Sequence, residues 1–164
     1  MISDRGPEQY YQRLRIGKIR EAEVAVAIAE YALSLSPGVR LSLYSPDIDI
    51  DAIDAVLRVE TDSSIQLLEL QVTSAGVGRI QLSRLLRTME KHDRMGSDAG
   101  YLIICCSGRQ TIDELMCFES SKLLKLSRRN GRKSVTFSDY SAAFGRCDLK
   151  SYIERITARP VPVG

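Results

Sequence analysis

The chain has 164 residues, of which 44% are hydrophobic and 27% charged, and a net charge of +2. That is chain enough for one domain, 1–164, with a real core, and no window approaches the roughly 18 apolar residues that span a membrane. The start, Met1 to Pro7, has no signal-peptide core, which points to a cytoplasmic protein with no membrane partner.

Residues 1–7 read as a loose end, and a helix begins near Glu8. From Ile16 to Leu35 the residues Ile19, Val24, Ala27, Ile28, Tyr31 and Leu35 recur at helical spacing, and Pro37-Gly38 ends the run. Val39 to Tyr44 alternates at period two, a first strand broken by Ser45-Pro46-Asp47. Asp47-Ile-Asp-Ile-Asp51 follows, either an exposed edge strand or a loop feeding acids towards a site. Asp54 then opens a strand through Val56, Leu57 and Val59; Thr61 to Ser64 is turn chemistry, and Ile65 to Val72 is a second, aliphatic strand.

After the Ser74–Gly78 connection, Arg79 to Met95 reads as a helix with an apolar stripe of Leu82, Leu85, Leu86 and Met89. Arg84, Arg87, Lys91 and Arg94 share one of its faces, either a solvated face or a phosphate contact. His92 adjoins that stripe and reads as a surface residue rather than a base. Gly96 to Gly100 turns the chain, and Tyr101 to Cys106 is an apolar run expected of a central strand covered on both faces. Thr111 with Glu114 resembles a capping box, starting a helix from Ile112 to about Arg129. Its basic end, Arg128, Arg129, Arg132 and Lys133, complements a helix dipole or binds phosphate. Ser134 to Phe137 is a short edge strand, one or two short helices run from Ser138 to about Ile156, and Arg159 to Gly164 is a tail. The order predicts an α/β domain, a mixed sheet flanked by helices, with its core at 16–137 and a helical extension at 138–158.

Charge is unevenly placed. Residues 1–78 hold 7 Lys/Arg and 12 Asp/Glu, while residues 79–164 hold 16 and 9. Acids for a metal beside cations for a backbone suit phosphodiester chemistry, although two such halves also simply pair with each other. Cys105, Cys106, Cys117 and Cys147 form no CxxC pair and read as buried free thiols. The single histidine argues against a His-based metal centre. On the second hairpin strand Glu69, Gln71 and Thr73 share one face, opposite Leu68, Leu70 and Val72. A carboxylate and an amide there are costly to bury without partners. Asp54 on the neighbouring strand is placed to approach them, and a divalent cation is the usual remedy for two carboxylates brought together. The plainer reading is an ordinary polar face on a one-sided sheet.

The order helix, three strands, helix, strand, with acids at these positions, resembles the α-β-β-β-α-β core of the PD-(D/E)XK nuclease superfamily. Within it the chain looks most like the archaeal-type Holliday-junction resolvases and related small endonucleases. Gly17-Lys-Ile-Arg-Glu21 matches their first-helix glycine and glutamate, Asp54-Ala-Val-Leu-Arg-Val their strand aspartate, and Glu69-Leu-Gln71-Val-Thr73 their Glu-x-Lys, with Gln71 in place of the lysine. The resemblance covers about residues 16–106 and rests on short motifs. It implies a restriction-endonuclease-like fold with Asp54, Glu69, Glu21 and the Leu70 carbonyl around Mg²⁺ or Mn²⁺, and no organic cofactor. Glu21, Asp54, Glu69 and Gln71 would be the catalytic set, with Asp51 and Asp47 as rivals to Asp54. Gln71 can hydrogen-bond a water but carries no charge and is no base.

The resemblance therefore implies a metal-dependent DNA endonuclease, structure-selective on branched DNA or Holliday junctions and acting as a homodimer. Arg84, Arg87, Lys91, Arg94, Arg128, Arg129, Arg132 and Lys133 would hold phosphates. An alternative is a nuclease-fold protein that has lost catalysis and binds DNA or a partner protein; a third is a structural or regulatory dimer.

Overall fold

The computed structural model describes residues 7–46, 53–74, 78–95, 100–131 and 133–158. Asp47, Asp51, Arg132 and the tail from Arg159 lie outside them.

The long helix α1, Pro7–Ser34, starts on a proline whose fixed φ suits a first helical turn. Val24, Ala27 and Ile28 are buried on its inner face, but Ile19 faces outward and is 53% exposed. Three antiparallel strands follow: β1 (Val39–Tyr44), β2 (Ala55–Thr61) and β3 (Ile65–Ser74). Register is fixed by burial, since a one-residue slip would turn Leu57, Val59, Leu68 and Leu70 to the opposite face. The turn between β2 and β3 closes on itself, with the Thr61 N–H donating to the Ser64 carbonyl at 2.9 Å and the Ser64 N–H to Thr61 Oγ1 at 3.1 Å.

The expected helix over Arg79–Met95 is shorter than its apolar spacing suggests. Arg79–Gln81 is a strand, β4, and α2 spans only Leu86–Met95, so Arg84 lies in the turn before it. The reason is tertiary: Ile80 pairs with Val135 across a separate two-stranded sheet, and both are buried. The strand β5 (Tyr101–Cys106) then runs parallel to β3, with all six residues buried.

The expected helix from Ile112 is also corrected. Thr111 and Glu114 close a turn, the Thr111 N–H donating to Glu114 Oε2 at 2.8 Å, and Met116–Glu119 forms β6 antiparallel to β5. Cys117 and Phe118 are buried in opposite cores, a period-two demand that a helix does not meet. Helix α3 begins only at Ser120 and runs to Asn130, where Gly131 at φ 59 caps it through its N–H to the Ser127 carbonyl. Strand β7 (Ser134–Thr136) and helices α4 (Phe137–Phe144) and α5 (Leu149–Thr157) complete the chain.

The main sheet has the order β1-β2-β3-β5-β6, a mixed sheet with helices on both faces. On one face α1 and α5 cover Leu57, Leu70, Leu102 and Ile104; on the other, Met89 of α2, Leu123 of α3 and Tyr140 of α4 cover Tyr101, Ile103 and Phe118. Among the described residues no helix is long and apolar enough to cross a membrane.

Candidate functional site: an acid face on β2 and β3

Asp54 sits where β2 begins. Its N–H donates to the Leu70 carbonyl at 2.8 Å, and its Oδ2 accepts the Val72 N–H at 2.7 Å. The side chain thus satisfies a backbone donor of β3 beyond the end of the strand pairing. One lone pair of the Leu70 carbonyl is engaged in that junction. Burial pushes the Asp54 carboxyl up to about 6; the Val72 hydrogen bond opposes this, and the charge of Glu21, which meets Asp54 closely enough to share a proton, adds to it. Glu21 also receives Lys18 Nζ at 3.2 Å, one helical turn earlier on α1.

Val56 of β2 stands opposite Glu69 of β3, and Glu69 in turn stands beside Tyr101 of β5. Successive same-face positions therefore place Glu69 and Gln71 on the side of the sheet that α2 covers, while Asp54, just before β2, meets Glu21 of α1. Glu69 is held at both ends. Its N–H donates to the Gly100 carbonyl at 3.0 Å, and its Oε2 lies 2.5 Å from His92 Nε2. The Oε2 atom is buried and the contact is off the line of a well-directed hydrogen bond, so it is an ion pair when the imidazole is protonated.

His92 is therefore not the surface residue its sequence position suggests. Its ring stacks on Tyr101, with centroids 5.1 Å apart and planes 10° off parallel. Burial, and then the charges of Asp54 and Glu69, push the Tyr101 hydroxyl well above its ordinary pKa of 10. Both residues left a signal in the sequence. His92 follows Met89 by three positions, on the apolar side of α2, and Tyr101 opens the buried strand.

Gln71 donates from Nε2 to the Val72 carbonyl at 3.0 Å, so its amide nitrogen is tied to its own strand while Oε1 remains an acceptor. Arg84, Arg87, Lys91, Arg94, Arg129 and Lys133 are exposed. Arg128 Nη1 bonds Asp93 Oδ2 at 3.2 Å, which joins α3 to α2. The two basic clusters of the sequence are thus brought side by side, on the face of the sheet that also carries Glu69. Among the described residues, no three His, Cys, Asp or Glu side chains converge closely enough to form a metal-binding group as they stand. Glu21 and Asp54 meet as a pair, and Glu69 is turned to His92.

The four cysteines are free, and burial pushes the Cys105 thiol up to about 12. They behave as core side chains and take no part in the acid face. No protein-family model, curated protein or solved structure matches the chain.

Proposed function

We propose that the protein is a divalent-metal-dependent endonuclease that hydrolyses phosphodiester bonds of DNA, on a restriction-endonuclease-like arrangement of its mixed sheet. The observation that carries this reading is the meeting of Asp54, at the start of β2, with Glu21 of α1, with Glu69 on the adjoining strand β3. The chain order α1, β1, β2, β3, β4, α2, β5 holds the elements of the core that the sequence resembles, with the short strand β4 inserted between β3 and α2.

The donor set suits Mg²⁺ or Mn²⁺. Two hard carboxylates, Asp54 and Glu21, meet there, and oxygen donors of this kind are what these cations take. Asp54 and Glu21 would hold the ion, with Glu69 and the free lone pair of the Leu70 carbonyl as further oxygen donors. When bound, such an ion supplies a water of lowered pKa and charge for the phosphate. The chain's own residues do the rest. The Val72 N–H fixes the Asp54 carboxylate, and His92 fixes that of Glu69. Gln71 Oε1 accepts a hydrogen bond from water but removes no proton. The cations of α2 and α3 hold DNA phosphates without reading bases.

A second reading, a nuclease-like protein that binds DNA without cutting it, is favoured by one observation. Gln71 supplies no charge, and its amide is tied to the Val72 carbonyl. The deciding experiment is cleavage of labelled duplex, flapped and four-way-junction DNA with Mg²⁺, Mn²⁺ or EDTA, beside Glu69→Ala. We expect metal-dependent cutting that the substitution removes, with junction preferred over duplex. Salt-sensitive binding without cutting would establish the second reading; neither cutting nor binding would remove both.

A further inference from the structure

We propose that the outward face of α1 is a self-association surface, packing antiparallel against α1 of a second copy of the chain. This inference stands apart from the nuclease reading. The helix has 28 residues, a length of about 42 Å at 1.5 Å per residue. Val24, Ala27 and Ile28 bury one side of it in the core. The other side carries Ile19, Ala22, Val26, Ala29 and Leu33, all exposed, Leu33 to 90%. Their spacing is 3, 4, 3 and 4. That is the seam of a helix–helix contact, where large residues alternate with alanines that accept a neighbour's large residues.

The seam also forms one wall of a groove. Ile19, Ala22 and Val26 face Arg109, Gln110 and Thr111 across a cavity of about 710 Å³. The groove follows α1 from Ile19 to Glu30, about three turns, so it takes a rod rather than a compact ligand.

Charge selects the occupant. Residues 7–20 of α1 carry Arg13, Arg15, Lys18 and Arg20 against one acid, Glu8. Residues 21–34 carry Glu21, Glu23 and Glu30 and no base. A helix divided this way is complementary to itself when antiparallel and repels itself when parallel. Lys18 and Arg20 already meet Glu21 and Glu23 within the helix, at 3.2 and 2.9 Å, so Arg13, Arg15 and Glu30 are left to supply the contact between copies. With a two-fold axis near Ala22, residue numbers facing each other sum to about 45. Arg15 then faces the partner's Glu30, Ile19 faces the partner's Val26, and small residues lie at the axis. Glu21 leaves the helix about 200° round from Ile19, so the contact leaves the acid face of each copy open.

Sedimentation velocity on the full chain tests this. We expect a concentration-dependent dimer, which Ile19→Asp/Val26→Asp converts to monomer with an unchanged circular-dichroism spectrum, since both side chains are about half exposed (53% and 50%). Arg15→Glu should weaken association at least about tenfold, and Arg15→Glu/Glu30→Arg should restore it. A monomer at every attainable concentration would overturn the proposal, as would a dimer that survives Ile19→Asp/Val26→Asp. Failure of the double charge swap to restore a dimer weakened by Arg15→Glu would overturn the antiparallel register.

Discussion

His92 Nε2 lies 2.5 Å from Glu69 Oε2, so a helix of the basic half of the chain reaches the central carboxylate of the acidic half. The imidazole is stacked on Tyr101, which fixes its plane, and Glu69 is fixed in turn through the Gly100 carbonyl. His92 is a positioning residue in this arrangement. Removing a partner that orients a metal-binding carboxylate costs about 10- to 100-fold in metal affinity or activity. We expect His92→Ala to lower cleavage by that amount and to raise the Mn²⁺ concentration needed for half-maximal activity. His92→Asn, which keeps a donor, should recover part of both. Equal Mn²⁺ dependence in wild type and His92→Ala would remove the positioning role.

Asp54 gives a pH dependence whose sign is fixed. Its folded pKa is raised from 3.8 to about 6, so between these values the folded state binds more protons than the unfolded state. Stability therefore falls as pH rises from about 4 to about 6, and the ionised acid is a liability above that range. Asp54→Asn keeps an acceptor for the Val72 N–H and removes the charge. It should raise the Tm at pH 7.5 and leave it nearly unchanged at pH 4. Mg²⁺ should raise the Tm of wild type at pH 7.5 but not that of Asp54→Asn. Thermal melts across pH, with and without the metal, check both; a Mg²⁺ shift that persists in Asp54→Asn would move the metal elsewhere.

The exposed cations predict a salt effect. Each phosphate neutralised contributes a slope of about −0.9 to log K against log salt concentration. Arg84→Glu/Arg87→Glu should weaken DNA binding uniformly across sequences and lower the slope by about 2 if both residues touch phosphate. Fluorescence anisotropy over a salt series measures it. An unchanged slope would take these two residues out of the interface, whatever the fate of cleavage.

Gly100 provides a test of packing behind the site. A Cβ added there would stand 2.9 Å from Tyr152 Oη and 3.5 Å from Leu68 Cδ2. Tyr152 is buried and its ring is rigid, so its hydroxyl cannot simply swing aside. Gly100→Ala should cost about 1–3 kcal/mol, the usual range for an overpacked core. Tyr152→Phe, by removing the oxygen, should recover part of that loss in the double variant. Urea unfolding of the four members of the cycle measures the coupling; additive losses would show that the strain is relieved elsewhere.

Much of this architecture was legible in the residues. Strands β1 and β5 fall at the alternation from Val39 to Tyr44 and the apolar run from Tyr101 to Cys106, and the β2–β3 hairpin falls at its turn residues. The common face of Glu69 and Gln71 follows from strand parity alone. The strands β4 and β6 were not legible, because Arg79–Gln81 and Met116–Glu119 are short and adjoin helical spacing. Only their partners, β7 and β5, decide their conformation, and no local pattern encodes a partner. The place of His92 was missed for a related reason. A basic stripe drew it to the solvent side of α2, whereas its spacing from Met89 turns it inward.

The parallel pairing of β3 with β5 has a kinetic consequence. Three residues, 62–64, join β2 to β3, whereas the route from β3 to β5 runs through β4 and α2. Hairpins close in about 1–10 μs, and parallel pairing, with its longer loop, is slower. We therefore expect Asp54 and Glu69 to come onto adjoining strands early, before α2 brings His92 against Glu69. Refolding should carry an electrostatic drag that Glu69→Gln relieves, seen as a faster folding limb in stopped-flow chevrons at neutral pH. The acid face would then be the last part of the molecule to settle.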